Sequence, residues 1–400
     1  MAKVKPWVKV AGVVASAAAI VGGLHALGDG KGGSAFSSDK NTIIVGTNTY
    51  AGFLPFMYLN NGTEPNEDCI LYKDYGMKMK VVIQDDFQAG RAAFKNGDIH
   101  LLYCTADAFP VEMSEGSDMA DAKFINISNW SRGADAIVVN KYVNTVADLK
   151  GKVVACSEGT ASNTLLLNTL ESNNMDYSMV NTSSTVMPDK VNLKVVPSGL
   201  DAASIFKAGQ CDAAVVFSPD DQDIVATMPG SKVLVSTKQA SNIICDGLIA
   251  KGQWVEDNRE KATKLISALL YANSKMNTDE AAVKQAAKAF AKAYGTDEEF
   301  AIEGSHNIYY CTLGDEANFF GLNSGYQGIK GDELYNKMAR TYEGLRLCKA
   351  PLAWRKVNDA SIIESLYENP SLVKGNQEAE KTQEFEAVTE QAAAEMKEIS

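Results

Sequence analysis

The chain has 400 residues, 46% hydrophobic and 22% charged, which is too long for one small domain and enough for two or three with buried cores. Its 38 Lys and Arg stand against 50 Asp and Glu, a net charge of −12, which argues against a nucleic-acid partner and against docking on anionic lipid. Seven scattered cysteines and three histidines show no zinc-ligand spacing, so neither metal nor cofactor is expected.

Lys3, Lys5 and Lys9 precede an apolar run over residues 10–27, the pattern of a signal peptide or a membrane anchor over 1–27. Both alternatives stay open, and either exports the remainder. No cysteine lies near the end of the run, which excludes a lipoprotein anchor. The Gly- and Ser-rich stretch 28–41 reads as a flexible linker.

The folded region is expected to start near Thr42. TIIVGTN (42–48) reads as a buried parallel strand, MKMKVVIQ (77–84) as a second and DIHLLYCT (98–105) as a third, with a helix over 87–96 stopped by Gly97. KFINIS (123–128) and ADAIVV (134–139) read as strands around a loop at 129–133. A short helix at 144–151 leads to the strand KVVACSEG (152–159), a helix over 160–172, the strand KVVP (194–197) and a helix over 199–208 ended by Gly209. CDAAVVFSP (211–219) and KVLVS (232–236) complete a second α/β unit. NIICDGLIA (242–250) is extended and returns the chain to the first unit. Helices are expected at 254–276, 278–293, 297–304, 331–350 and 360–367. The predicted organisation is lobe 1 over 42–139 plus 244–368, lobe 2 over 140–243, and an acidic helical tail or spacer over 369–400.

The pieces IIVGTNTYAGFLP (43–55), AFKNGDIHLLYCT (93–105), SRGADAIVV (131–139), VADLKGKVVACSEGTASNTLL (146–166) and AASIFKAGQCDAAVVFSP (202–219) resemble the solute-binding proteins of ABC importers for nitrate, taurine and aliphatic sulfonates. The resemblance implies a two-lobed α/β type II periplasmic-binding-protein fold that closes over a solute like a flytrap. It also implies a small-molecule solute, anionic or zwitterionic, and an ABC permease as membrane partner. The location would be periplasmic or extracytoplasmic, with residues 10–27 as an anchor if retained.

Ligands of open α/β sheets sit beyond the carboxyl ends of strands. The turn Ser157-Glu158-Gly159-Thr160-Ala161-Ser162 opens a helix there, and Ser157, Gly159, Thr160 and Ser162 are expected contacts, where free amides favour negative charge. Glu158 works against an anion at that turn. In lobe 1 the expected contacts are Tyr50, Gly52 and Phe53 after the first strand, and Cys104 and Thr105 after the third. Arg132 is a candidate clamp for a carboxylate, sulfonate or phosphate. Phe217 and Ser218 would close the cleft from lobe 2, and Asp246 reads as a hinge residue or the partner of an amino group.

The same superfamily holds fungal enzymes that make the thiamine pyrimidine with a cysteine cluster and placed histidines. Here the cysteines are dispersed and His100 lies in an apolar strand, so no enzyme is expected. The remaining alternative is an envelope scaffold or sensor that keeps the fold without transport.

Overall fold

The computed structural model describes residues 41–114, 116–180, 186–218 and 220–374. The apolar segment 1–27, all but the last residue of the linker, and the tail beyond 374 lie outside the described residues.

Two separate mixed sheets form the framework. The first contains β1 (Thr42–Thr47), β2 (Lys78–Ile83), β3 (Leu101–Thr105), β4 (Ala122–Ser131), β11 (Cys245–Lys251) and β12 (Ile308–Tyr310), in the order β12-β4-β11-β3-β1-β2. The second contains β5 (Asp135–Val139), β6 (Val153–Ser157), β7 (Tyr177–Val180), β8 (Val191–Val196), β9 (Ala213–Phe217) and β10 (Lys232–Ser236), in the order β10-β5-β9-β6-β8-β7. Every residue of β1 is buried, as is every residue of β5. Such strands carry side chains into packed layers on both faces, which is why they read as unbroken apolar runs.

The chain passes between the sheets twice, at 132–134 and at 237–244. The first passage corrects the predicted boundary. ADAIVV was placed in lobe 1, but β5 pairs antiparallel with β9 and β10 and so lies in the second sheet. A second correction concerns Asn129-Trp130-Ser131, expected as loop. These residues extend β4 because a short strand downstream pairs with them, with Ile308 opposite Ser131 and Tyr309 opposite Trp130. The helix expected over 254–276 is two helices, Gly252–Asp257 and Arg259–Thr278, and β7, β12 and the helix Asp220–Thr227 were not anticipated.

Local signals explain the elements that position the loops. The helix Phe87–Asn96 starts where the Asp86 carboxylate accepts from the amides of Gln88 and Ala89, at 2.9 and 3.0 Å, and stops at Gly97 with φ 83°. Ser198 caps the helix Gly199–Lys207 by accepting from the Asp201 amide at 3.1 Å. The core joins the sheets: one buried apolar cluster includes Ile44 and Leu248 from the first, Val154 and Val215 from the second, and Tyr342 from the helix Gly331–Gly344. That helix touches both halves. Tyr335 packs edge-on against Phe109 at 6.3 Å, and the Tyr342 hydroxyl is hydrogen-bonded at 2.7 Å to that of Thr164, on the helix Ala161–Ser172. Among the described residues all seven cysteines are free thiols; Cys348 lies against the Ala339 carbonyl, and Cys311 has Cys245 as its thiol neighbour. Among these residues no helix is long and apolar enough to cross a membrane.

Candidate functional site

The carboxyl ends of both sheets meet where the chain crosses between them. A small cavity of about 10 Å³ lies there, room for one water-sized group. Tyr50, Ala51, Phe300 and Gly304 line it from the first half, and Ala134, Ser218 and Gln222 from the side of the second.

The first loop is held from three directions. The Tyr310 hydroxyl donates to the Ala51 carbonyl at 2.9 Å, Thr47 and Tyr294 share a hydroxyl contact of 2.8 Å, and Asn129 Nδ2 reaches the Gly52 carbonyl at 3.5 Å. Gly304 is required by close approach: a Cβ there would stand 2.8 Å from the Ala51 Cβ. These restraints fix Tyr50, which is 8% exposed and whose hydroxyl has no hydrogen-bond partner.

The two crossings are tied through Thr237. Its hydroxyl accepts from the Gly133 amide at 2.9 Å and from the Asp135 amide at 3.3 Å, and stands 2.7 Å from the Ser131 hydroxyl. The Thr237 amide donates to the Asp135 carbonyl at 2.9 Å, and the Ser218 amide to that of Ala134 at 2.7 Å.

Three fully buried carboxylates converge on this junction. Asp246 is the second residue of β11, opposite Thr105 and Asn129, Asp107 follows β3, and Asp135 opens β5. The Cys245 amide donates to Asp107 Oδ1 at 3.4 Å, while Asp107 Oδ2 has no partner. Burial pushes the Asp107 carboxyl up to about 7 against hydrogen bonds that pull it down, and the Asp135 charge adds to the rise. Burial likewise takes Asp135 to about 6 and lifts Asp246 well above the carboxylate range, helped by Asp135 and Asp107. Burial, then Asp246 and Asp135, hold the Tyr50 hydroxyl firmly protonated.

Several expected contacts belong to this junction and others are placed elsewhere. Tyr50, Ser218 and Asp246 stand within it. Gly52 backs the Tyr50 ring. Phe53 is fully buried and packs its ring against Tyr50 at 5.8 Å and Tyr103 at 5.5 Å, a core role. Cys104 is buried behind Arg91, and burial pushes its thiol far up, so it is inert. Thr105 is half-buried at the end of β3, and Phe217 is half-buried against Gly199. Arg132 lies over the Tyr309 ring at 5.8 Å, and its charge acts with Asp315.

The turn at 157–162 spends its polar groups internally. Ser157 donates to the Pro197 carbonyl at 3.2 Å, Thr160 donates to the Ser157 carbonyl at 2.8 Å, and the Gly159 amide is taken by Asn163 Oδ1 at 3.2 Å. Ser162 is buried and Glu158 exposed. Asp107, Asp135 and Thr237 were missed. For Asp135 the available signal was a charged residue in an otherwise apolar strand, which is costly to bury without a partner; Asp107 and Thr237 lie in loops and carried no such signal.

Two α/β halves joined by two strand crossings, with polar groups from both halves facing one junction, define a periplasmic-binding-protein fold. A family model of the NMT1-like family matches residues 67–291, more than half of the 400-residue chain, and the chain belongs to that family. No curated protein matches it. Among solved structures it is similar to the periplasmic aliphatic sulphonate binding protein SsuA of Escherichia coli, at 17% identity over 82% of this chain and 100% of that one, TM-score 0.60. The alkanesulfonate-binding SsuA of Xanthomonas axonopodis pv. citri, bound to MOPS, matches at 17% identity over 80% and 99%, TM-score 0.58. The periplasmic nitrate-binding protein NrtA of Synechocystis matches at 14% identity over 84% and 91%, TM-score 0.57. All three are described as binding proteins, and at these identities the likeness shows a shared fold.

Proposed function

We propose that the chain is an extracytoplasmic solute-binding protein whose halves close over a small polar solute and deliver it to the permease of an ABC importer. The observation that carries this reading is the junction itself. Tyr50 from one half and Ser218 and Gln222 from the other present polar groups to one small cavity. A solute touching both sets favours the closed arrangement by its differential affinity. The lobes in this reading are 42–131 plus 245–368 and 135–236, with the apolar segment 10–27 exporting or anchoring the chain. Of the sulfonate-, taurine- and nitrate-like solutes the sequence suggests, the taurine-like zwitterion is the one with a positive end. Gly52, Thr105 and Phe217 border the junction in this reading, and Arg132 and the 157–162 turn support it from outside.

The test is thermal unfolding of the exported chain with small sulfonates, nitrate, amino acids and amines, paired with small-angle scattering. A ligand of the native state alone raises the melting temperature and compacts the particle. A scaffold that keeps the fold without a solute responds to none of them. That second reading draws on the Thr164–Tyr342 hydroxyl pair, which fastens the halves together without a solute.

A further inference from the structure

Besides the two crossings, the halves are joined side chain to side chain between two helices. The helix Ala161–Ser172 belongs to the second half and the helix Gly331–Gly344 to the first. Thr164 and Asn168, four residues apart, share one face of the former. Thr164 meets Tyr342 in the 2.7 Å hydroxyl contact, and Lys337 Nζ donates to Asn168 Oδ1 at 2.9 Å. Thr164 and Tyr342 are both fully buried, so parting the halves here exchanges a shielded hydrogen bond for water. At the start of the same helix a Cβ on Gly159 would stand 3.3 Å from Val111 Cγ1, in the turn Phe109–Val111 against which Tyr335 packs. The 157–162 turn, whose polar groups are spent internally, thus opens a helix that is used along its side, against the other half. None of Thr164, Asn168, Lys337 and Tyr342 lines the cavity.

We propose that these four side chains form a clasp that biases the halves toward the closed arrangement, and so sets solute affinity from residues that do not line the cavity. The bias itself stands without the solute-binding reading; its effect on affinity rests on that reading. A solute that binds the closed arrangement has an apparent affinity reduced by the fraction of molecules that are open. Each clasp contact lowers that fraction, and the solute has to supply less of the closing free energy. One neutral hydrogen bond shifts such a balance about 2- to 10-fold. The residues of the clasp therefore act through the open–closed balance, and their substitution moves closure and affinity together.

The test pairs small-angle scattering of the exported chain without solute with titration calorimetry using taurine, butanesulfonate, nitrate and 4-aminobutyrate. Tyr342→Phe keeps the ring and removes the hydroxyl, and Asn168→Lys sets like charges against each other at Lys337. The double variant should show a larger radius of gyration without solute and bind the active probe about tenfold more weakly. Asn168→Asp makes an ion pair with Lys337 and should act in the opposite direction, with no expansion and an affinity raised up to about fivefold, fading at high salt. A thermal melt confirms folding, and Asn168→Lys alone, at a half-buried position, carries the test if the double variant does not fold. If the clasp variant scatters like the parent, or binds a probe as tightly, the clasp is overturned while the solute-binding reading stands. If it expands but no probe binds parent or variant, the solute-binding reading fails and the clasp stands.

Discussion

Replacing Tyr50 by Phe separates the demands of folding from those of binding. The ring is buried and packs edge-on against Phe53 at 5.8 Å, a contact that Phe keeps. The hydroxyl is buried without a partner, a condition that costs about 1–3 kcal/mol. Removing it stabilises the solute-free protein by roughly 1 kcal/mol after allowance for the small void left, a rise of about 1–3 °C in melting temperature. The same oxygen lines the cavity and hydrogen-bonds the polar solute in the proposed reading, and such a bond contributes about 0.5–1.5 kcal/mol. Affinity for that solute therefore falls about 2- to 10-fold. Differential scanning calorimetry without solute and titration calorimetry with it read the two effects. A Tyr50→Phe variant that melts lower than the parent, or that binds as tightly, would refute the reasoning.

Four further outcomes are expected. The raised carboxyls of Asp107 and Asp135, at about 7 and about 6, contribute stability that is complete below the unfolded-state value and is lost as pH rises through the folded-state values. The melting temperature of the solute-free protein should thus fall between about pH 4 and pH 7, and Asp107→Asn should flatten that slope; an unchanged slope counts against the assignment. Thr237→Val strips the Gly133 and Asp135 amides of their side-chain acceptor, costs about 1–3 kcal/mol in urea unfolding, and loosens the crossings, seen as a larger radius of gyration without solute. Gly304→Ala drives a methyl into Ala51, displaces the Tyr50 loop, costs about 1–3 kcal/mol in stability and weakens solute binding. Thr160→Ala removes a bond to the Ser157 carbonyl away from the cavity, so it lowers stability by about 1 kcal/mol and leaves affinity unchanged.

The strands that carry apolar runs, such as β1, β3, β5 and β9, were legible because burial on both faces demands such runs. Which sheet each joins was less so. ADAIVV reads the same in either half, and only its pairing with β9 assigns it. The extension of β4 through Ser131 depends on a three-residue strand nearly 180 positions later, which no local pattern announces. At the cavity, Tyr50 and Ser218 were expected because each follows the carboxyl end of a strand, where open α/β sheets leave crevices. The helix start at 157–162 carried the right chemistry for an anion, but Asn163, Thr160 and Ser157 satisfy one another there. Asp107 lies two residues past Thr105, the last position singled out after β3, and Asp135 was taken as part of a strand. Their meeting with Asp246 is set by tertiary packing, which spacing along the chain does not encode.

The helix Gly331–Gly344 changes what separating the halves entails. It sets Tyr335 edge-on against Phe109 in one half and hydrogen-bonds Tyr342 to Thr164 in the other, while Lys337 reaches Asn168 at 2.9 Å. A leaf joined by two crossings and by this helix cannot turn until the helix lets go, and the shielded Thr164–Tyr342 pair is one of its fastenings. Parting the halves therefore breaks the Thr164–Tyr342 and Lys337–Asn168 contacts as well as flexing the crossings, so this helix acts as a latch across the hinge.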